Sequence, residues 1–141
     1  MQTCQKQFKK RNAILTYLQQ SKAHPSADMV YDHLKKEIPD LSLGTVYRNL
    51  SLFRQQGAVA SLGTVGGVER FDGNTSPHVH FICTGCHAVV DMPALQVPAV
   101  LADEAQAQIG GRVNQCTLTF TGLCHTCCVE KLHPATKEIQ G

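Results

Sequence analysis

Apolar residues recur along the first third of the chain at helical spacing. In residues 6–20, Ile14, Leu15 and Leu18 line up behind a basic first turn, which predicts an amphipathic helix. His24-Pro25-Ser26 interrupts it, and Ser26 is placed to cap a second helix from Ala27 to about Lys36 with Met29, Val30 and Leu34 as its apolar face. Pro39-Asp40 ends that helix. Ser42 then caps a third, Leu43 to Gln56, stopped by Gly57. Leu43, Val46, Leu50 and Phe53 form its inner stripe, turning Thr45, Tyr47, Arg48, Ser51 and Arg54 toward solvent.

Past Gly57 the pattern becomes extended: Val59 to Leu62, a glycine turn at Gly66-Gly67, then Val68 to Phe71, a β-hairpin. Three helices followed by a hairpin describe a winged helix-turn-helix, whose third helix would enter the major groove of DNA. A small helical domain with a solvated outer face has the same periodicity. Asp72-Gly-Asn-Thr-Ser-Pro77 is rich in turn formers and places a domain boundary near residue 73, dividing the chain into 1–73 and 74–141. The second part alternates a strand (Val79 to Ile82), a Cys-x-x-Cys turn and a strand (Ala88 to Asp91). A helix (about Ala99 to Ile109), a strand (Arg112 to Phe120), a second Cys-x-x-Cys and a short helix follow. The expected class is α+β, a winged helix followed by a small α/β unit that needs a metal staple and a partner subunit to cover its core.

Charge sharpens the division. The net charge of +2 conceals nine Lys/Arg against four Asp/Glu in residues 1–54 and four against seven in residues 55–141. The basic half suits a polyanion and the acidic, Cys/His-rich half suits metal. No apolar run approaches the roughly 20 residues that span a bilayer, and the opening residues do not read as a secretory signal, so the cytoplasm is the expected compartment. In that compartment two of the Cys-x-x-Cys type point to metal rather than disulfides.

The chemistry concentrates in His78-Val-His-Phe-Ile-Cys-Thr-Gly-Cys-His-Ala-Val-Val-Asp91. His78 and His80 are two apart, so on a strand both imidazoles project from one face. Cys83 and Cys86 on a tight turn are two ligands of a soft tetrahedral ion, and Cys124 and Cys127 supply the other two of a closed zinc site. A redox dithiol is the competing reading of these cysteines. Imidazoles with carboxylates suit iron, manganese or zinc at a second site.

Several stretches together carry a likeness: Ala23-His-Pro-Ser-Ala-Asp28, Gly44-Thr-Val-Tyr-Arg-Asn-Leu50, Arg70-Phe-Asp72, His78 to Cys86, Asp91 and Cys124-His-Thr-Cys127. Over essentially its whole length the chain resembles the ferric uptake regulator family of metal-dependent repressors, and within it the peroxide-sensing branch. That resemblance implies an operator-binding winged helix, a homodimer, and a regulatory Fe(II) or Mn(II) held by His24, Asp72, His78, His80 and Asp91. It implies structural zinc on Cys83, Cys86, Cys124 and Cys127, and Arg11 as a DNA contact beside Thr45, Tyr47, Arg48 and Arg54. Aspartate at positions 72 and 91, where iron-sensing relatives tend to use glutamate, is what points to peroxide.

One ion on all five regulatory residues would couple the two halves, so that occupancy sets the spacing of the recognition helices. The resemblance implies that peroxide meeting Fe(II) there oxidises a histidine ligand, His24 or His80, while the Mn(II) form represses without sensing. His87 stands where relatives usually have glycine, a change that would alter the turn or add a ligand; Thr75-Ser76-Pro77 before His78 lacks the extra His or Asp of some relatives and Cys116 stands where they often have histidine, so an accessory metal site is not expected. Phe8 replaces a threonine common before the first helix. A metal-uptake repressor without peroxide chemistry is the nearest alternative. A zinc-stapled thiol enzyme such as a methionine sulfoxide reductase, with Cys116 as nucleophile, is the alternative from another class; the chain is expected not to be an enzyme.

Overall fold

A computed structural model describes residues 2–114 and 116–131, and the chain divides into two compact units between Ser76 and Pro77. That division lies at the far end of the turn-rich segment.

The first unit is built from α1 (Gln2–Gln20), α2 (Ala27–Lys35), α3 (Leu43–Gln56) and a hairpin of β1 (Ala60–Val65) and β2 (Val68–Asp72). Its helix boundaries follow from local chemistry. The Ser26 hydroxyl accepts from the Met29 N–H and the Ser42 hydroxyl from the Thr45 N–H, each quenching a donor that the first helical turn leaves unpaired. Gly57 closes α3 at φ 75°, a left-handed conformation that costs glycine nothing. Ile14 and Leu18 of α1, Val30 and Leu34 of α2, Val46, Leu50 and Phe53 of α3, and Phe71 of β2 pack into one hydrocarbon core.

Two expected core residues lie outside it. Met29 and Leu43 are 38% and 36% exposed. Both sit in the first turn of a helix, where the arriving chain sets the buried face; Ala27 takes the inner place on α2, and Asn49 joins the buried stripe of α3. Thr45, expected in solvent, is half-buried because its hydroxyl lies 2.9 Å from that of Ser42 in the cap. The hairpin is antiparallel with a bulge between Ser61 and Gly63, and Arg54 at the end of α3 pairs with Glu69 of β2 at 3.1 Å.

The second unit holds β3 (Val79–Cys83), β4 (Val89–Asp91), α4 (Ala99–Ile109), β5 (Leu118–Gly122) and α5 (His125–Lys131). Its sheet runs β4-β3-β5, with β4 antiparallel and β5 parallel to the central β3. The expected strand from Arg112 begins only at Leu118, because Gly110 and Gly111 end α4 and the chain must first travel back to the start of β3. Cys116 therefore lies outside the strand and is half-buried. The second Cys-x-x-Cys straddles the start of α5: Cys124 precedes the helix and Cys127 is on it.

Candidate metal centres and nucleic-acid face

The four sulfurs of Cys83, Cys86, Cys124 and Cys127 lie within 4.8 Å of one another. Thiolates about 2.3 Å from a tetrahedral ion stand about 3.8 Å apart, the separation of Cys86 Sγ from Cys124 Sγ, 3.8 Å. The donor set and its spacing fit a closed structural metal site. Local backbone geometry builds it: β3 delivers Cys83, and the parallel pairing of Cys83 with Gly122 brings Cys124 alongside. At the turn between the first two cysteines, a Cβ on Gly85 would lie 2.8 Å from Cys127 Sγ, so only glycine lets the fourth sulfur approach.

The sulfurs are not equivalent. N–H groups of Cys124, Cys86 and Gly85 donate to Cys83 Sγ at 3.3–3.4 Å and bring its thiol from the ordinary 9.0 down to about 6. Cys127 is pushed up to about 12 by the sulfur of Cys124 first, then by that of Cys83. At Cys86 the Ala88 N–H lowers the pKa, but the Cys83 sulfur, desolvation and the Cys124 sulfur outweigh it and the net direction is up. The arrangement without metal thus favours a thiolate at Cys83 beside thiols at Cys86 and Cys127. His87 follows at φ 64°, its N–H donating to the Cys83 carbonyl at 2.9 Å. That left-handed conformation is the reason glycine suits the position; His87 is exposed there and stands outside the sulfur cluster.

On the second unit's sheet, His80 of β3 is the direct cross-strand partner of Asp91 of β4. His80 Nε2 lies 3.2 Å and His78 Nε2 3.4 Å from the same Asp91 Oδ1, and the two imidazole rings meet edge to face at 4.2 Å. Donors about 2.1 Å from one ion stand about 3.0–3.4 Å apart for octahedral to tetrahedral angles. This trio fits one face of a nitrogen and oxygen metal site.

In the first unit, His24 and Asp72 form a matching pair, Nε2 to Oδ2 at 3.5 Å, both nearly sealed from solvent. Asp72 Oδ1 accepts the Asn74 N–H at 2.9 Å, so the residue is both a turn former and a partner of histidine. A Cβ on Gly73 would fall 2.5 Å from the Leu18 carbonyl group, so the bare glycine lets this turn lie against the end of α1. His24 occupies the left-handed region at φ 51°, which costs a residue with a Cβ roughly 1–2 kcal/mol. Arg70 of β2 offsets that cost: its Nε donates to the His24 carbonyl and its Nη2 to the Ala23 carbonyl, while the Phe71 N–H donates to the Pro25 carbonyl at 3.0 Å. Arg70 stood in one of the stretches that carry the family likeness but was given no role of its own, because carbonyl partners leave no mark in a sequence.

The outer face of the first unit carries the expected polar residues. Tyr47 and Arg48 are exposed, and Arg48 Nη2 donates to Thr45 Oγ1 at 3.0 Å. Arg11 Nε donates to Asn49 Oδ1 at 3.2 Å, and the amide of the buried Asn49 is fixed by donating to the Thr45 carbonyl at 2.8 Å. Lys10, Arg11 and Arg48 line a cleft of about 390 Å³ between α1 and α3 and gather positive charge there. Arg54 stands apart from this cleft, paired with Glu69 of the hairpin. Lys10 and Asn49 are additions that sequence reasoning missed; Lys10 was one basic residue among several, and Asn49 was hidden by its polar side chain on an inward position.

Comparison with known proteins gives consistent results. A family model described as the ferric uptake regulator family matches residues 3–121. The chain is 39% identical over 125 residues to the peroxide operon regulator of Bacillus subtilis (strain 168), covering 87% of this chain and 84% of that one. It is 37% identical over 119 residues to the peroxide-responsive repressor PerR of Staphylococcus aureus (strain USA300), covering 83% and 78%. Among solved structures it is similar to the Campylobacter jejuni peroxide stress regulator, with a TM-score of 0.77 at 28% identity over 86% of this chain and 91% of the other.

Proposed function

The chain belongs to the ferric uptake regulator family, and from that premise we propose that it is a metal-dependent DNA-binding repressor that responds to hydrogen peroxide. The observation that carries the reading is the pairing of aspartate with histidine in each unit: Asp72 with His24, and Asp91 with His78 and His80. Similarity to regulators named for peroxide supports the same choice.

In this reading residues 1–73 bind a double-stranded operator and residues 74–141 bind metal and dimerise, in the cytoplasm and without enzymatic turnover. Zinc is the structural ion on the four cysteines, and Fe(II) or Mn(II) the regulatory ion on His24, Asp72, His78, His80 and Asp91. Arg11, Thr45, Tyr47, Arg48 and Arg54 face the DNA, and the cationic cleft supports phosphate contacts by Arg11 and Arg48. Dimerisation is supported by apolar surface: Val90 and Phe120 flank Phe81 across the sheet, and Val100, Leu101 and Ile109 are exposed on α4. No described helix is long and apolar enough to cross a membrane.

Fe(II) held by His24, Asp72, His78, His80 and Asp91 would supply reductive cleavage of the peroxide O–O bond, chemistry that Mn(II) would not supply. The protein supplies the target. A ring carbon of His24 or His80 exchanges its C–H for C–O, taking one peroxide oxygen while the other leaves as water. An imidazole altered in this way is a poorer ligand, so the site would bind its ion less tightly and the two recognition helices would no longer be held about 34 Å apart for successive grooves.

Tandem mass spectrometry tests this on protein loaded anaerobically with Fe(II) and given one equivalent of peroxide, beside an Mn(II)-loaded sample. One added oxygen on His24 or His80 in the iron sample, with loss of operator binding, is expected. Operator binding that depends on metal but leaves every histidine unoxidised would instead make the chain a plain metal-uptake repressor. Asp91→Glu should keep metal-dependent DNA binding and blunt the peroxide response.

A further inference from the structure

We propose that Arg70 is the positioning residue of the regulatory metal site, an inference that rests on the ligand reading of His24 and Asp72 above. Three successive carbonyls, those of Ala23, His24 and Pro25, accept hydrogen bonds from β2: the first two from the Arg70 guanidinium and the third from the Phe71 N–H. Strand β2 thus fastens residues 21–26 much as a neighbouring strand would, although these residues are neither helix nor strand. The clamp falls where the backbone is least comfortable, at the left-handed φ of His24.

Its effect reaches the ligands through covalent geometry. Arg70 lies two residues before Asp72 on the same strand, so the segment that holds the His24 backbone also presents the carboxylate 3.5 Å from the His24 imidazole. The pair arrives as a single rigid piece rather than as two loops that must find each other. Guanidinium chemistry is needed because a planar fork with donors at fixed spacing can serve two consecutive carbonyls together, which a lysine ammonium on its flexible stem cannot. Without the fork, His24 is expected to relax from φ 51° toward the ordinary right-handed or extended regions, carrying its ring away from Asp72.

The test uses full-length, zinc-loaded protein and two readouts. Mn(II) affinity is measured by calorimetry for wild type, Arg70→Lys, His24→Ala and a core truncation in the same unit, Ile14→Val. Hydrogen exchange of the amides in residues 21–26 is followed in each protein before Mn(II) is added. The expected result for Arg70→Lys is a roughly ten- to hundredfold loss of Mn(II) affinity, as for other residues that orient metal ligands, with faster exchange confined to residues 21–26. Ile14→Val, destabilised through the core, should retain wild-type Mn(II) affinity. Arg70→Lys binding Mn(II) as tightly as wild type while His24→Ala does not, or Ile14→Val losing as much as Arg70→Lys, would overturn the positioning role and leave the ligand assignment standing. His24→Ala binding Mn(II) as wild type does would overturn the ligand assignment and the inference with it.

Discussion

The two units solve the problem of staying folded in opposite ways. Residues up to Ser76 close over hydrocarbon drawn from three helices and a strand, Ile14 to Phe71. Beyond Pro77, the buried side chains among the described residues are Val79, His80, Cys83 and Val89, and α4 buries none. One unit is held by the hydrophobic effect, which is spread over many side chains and forgiving of any one. The other gathers four sulfurs and a His-Asp cluster around a thin apolar layer and leaves apolar side chains of α4 exposed. A sensor benefits from that difference, because a unit held by a few ligands can be changed by altering one of them, while the helical unit stays intact.

The largest effect is expected at Cys83. Cys83→Ser should cost the zinc site, of the order of 10 kcal/mol of binding free energy at neutral pH, and unfold residues 77–131 while the first unit survives. Segment-resolved hydrogen exchange beside zinc analysis would show it; loss of protection across α1 to α3 as well would mean that the units do not stand independently. Phe71→Ala is the mirror experiment, costing about 3–5 kcal/mol in the first unit with zinc retained. Its thermal melt should move while zinc content does not.

Gly85→Ala comes next. Its Cβ at 2.8 Å from Cys127 Sγ must displace that sulfur, so zinc affinity measured against a competing chelator should drop at least tenfold without unfolding the first unit.

Proton uptake sharpens the contrast further. The depressed Cys83 thiol stabilises the metal-free fold above its unfolded value of 9.0, and that contribution falls away as pH drops through about 6. The raised Cys127 thiol works the other way: its contribution is full below 9.0 and is lost as pH climbs through about 12. Zinc binding near pH 7.5 must therefore expel the protons of Cys86 and Cys127, and an indicator dye should register at least two protons per ion, with affinity falling as pH is lowered. The smallest effect belongs to Asp40→Asn. Lys10 beside Asp40 holds the carboxyl below its ordinary 3.8, so the pair contributes only above that pH and fades as acid is added. Being on the surface, its loss should leave the melting midpoint at pH 7 within experimental scatter.

Features made by neighbouring residues were legible in the sequence. Ser26, Ser42, Gly57 and the Gly66-Gly67 turn act within a few residues of themselves, and the structure places each as its local chemistry required. The four cysteines and their proximity were legible for the same reason, since ligand chemistry narrows what such residues can do. Met29 and Leu43 were misplaced because periodicity is a statement about whole turns, and helix starts are set by what packs on them. The late start of β5 escaped because apolar residues from Val113 onward suggest extension whether or not a partner strand lies alongside. The roles of Arg70 and Asn49 escaped for a deeper reason: Arg70 meets the carbonyls of Ala23 and His24, and Asn49 meets Arg11, only once segments distant in sequence have come together.

The parallel pairing of β3 with β5 also sets an order of events in time. Cys86 and Cys124 are 38 residues apart, so at about 5–20 residues per second of synthesis the first pair of thiols waits about 2–8 s for the second. Throughout that interval the helices and hairpin have already been made and can fold around their own core. A nascent chain therefore completes its helical unit before it can close its four-cysteine cluster, and the second unit waits on the arrival of Cys124 and Cys127.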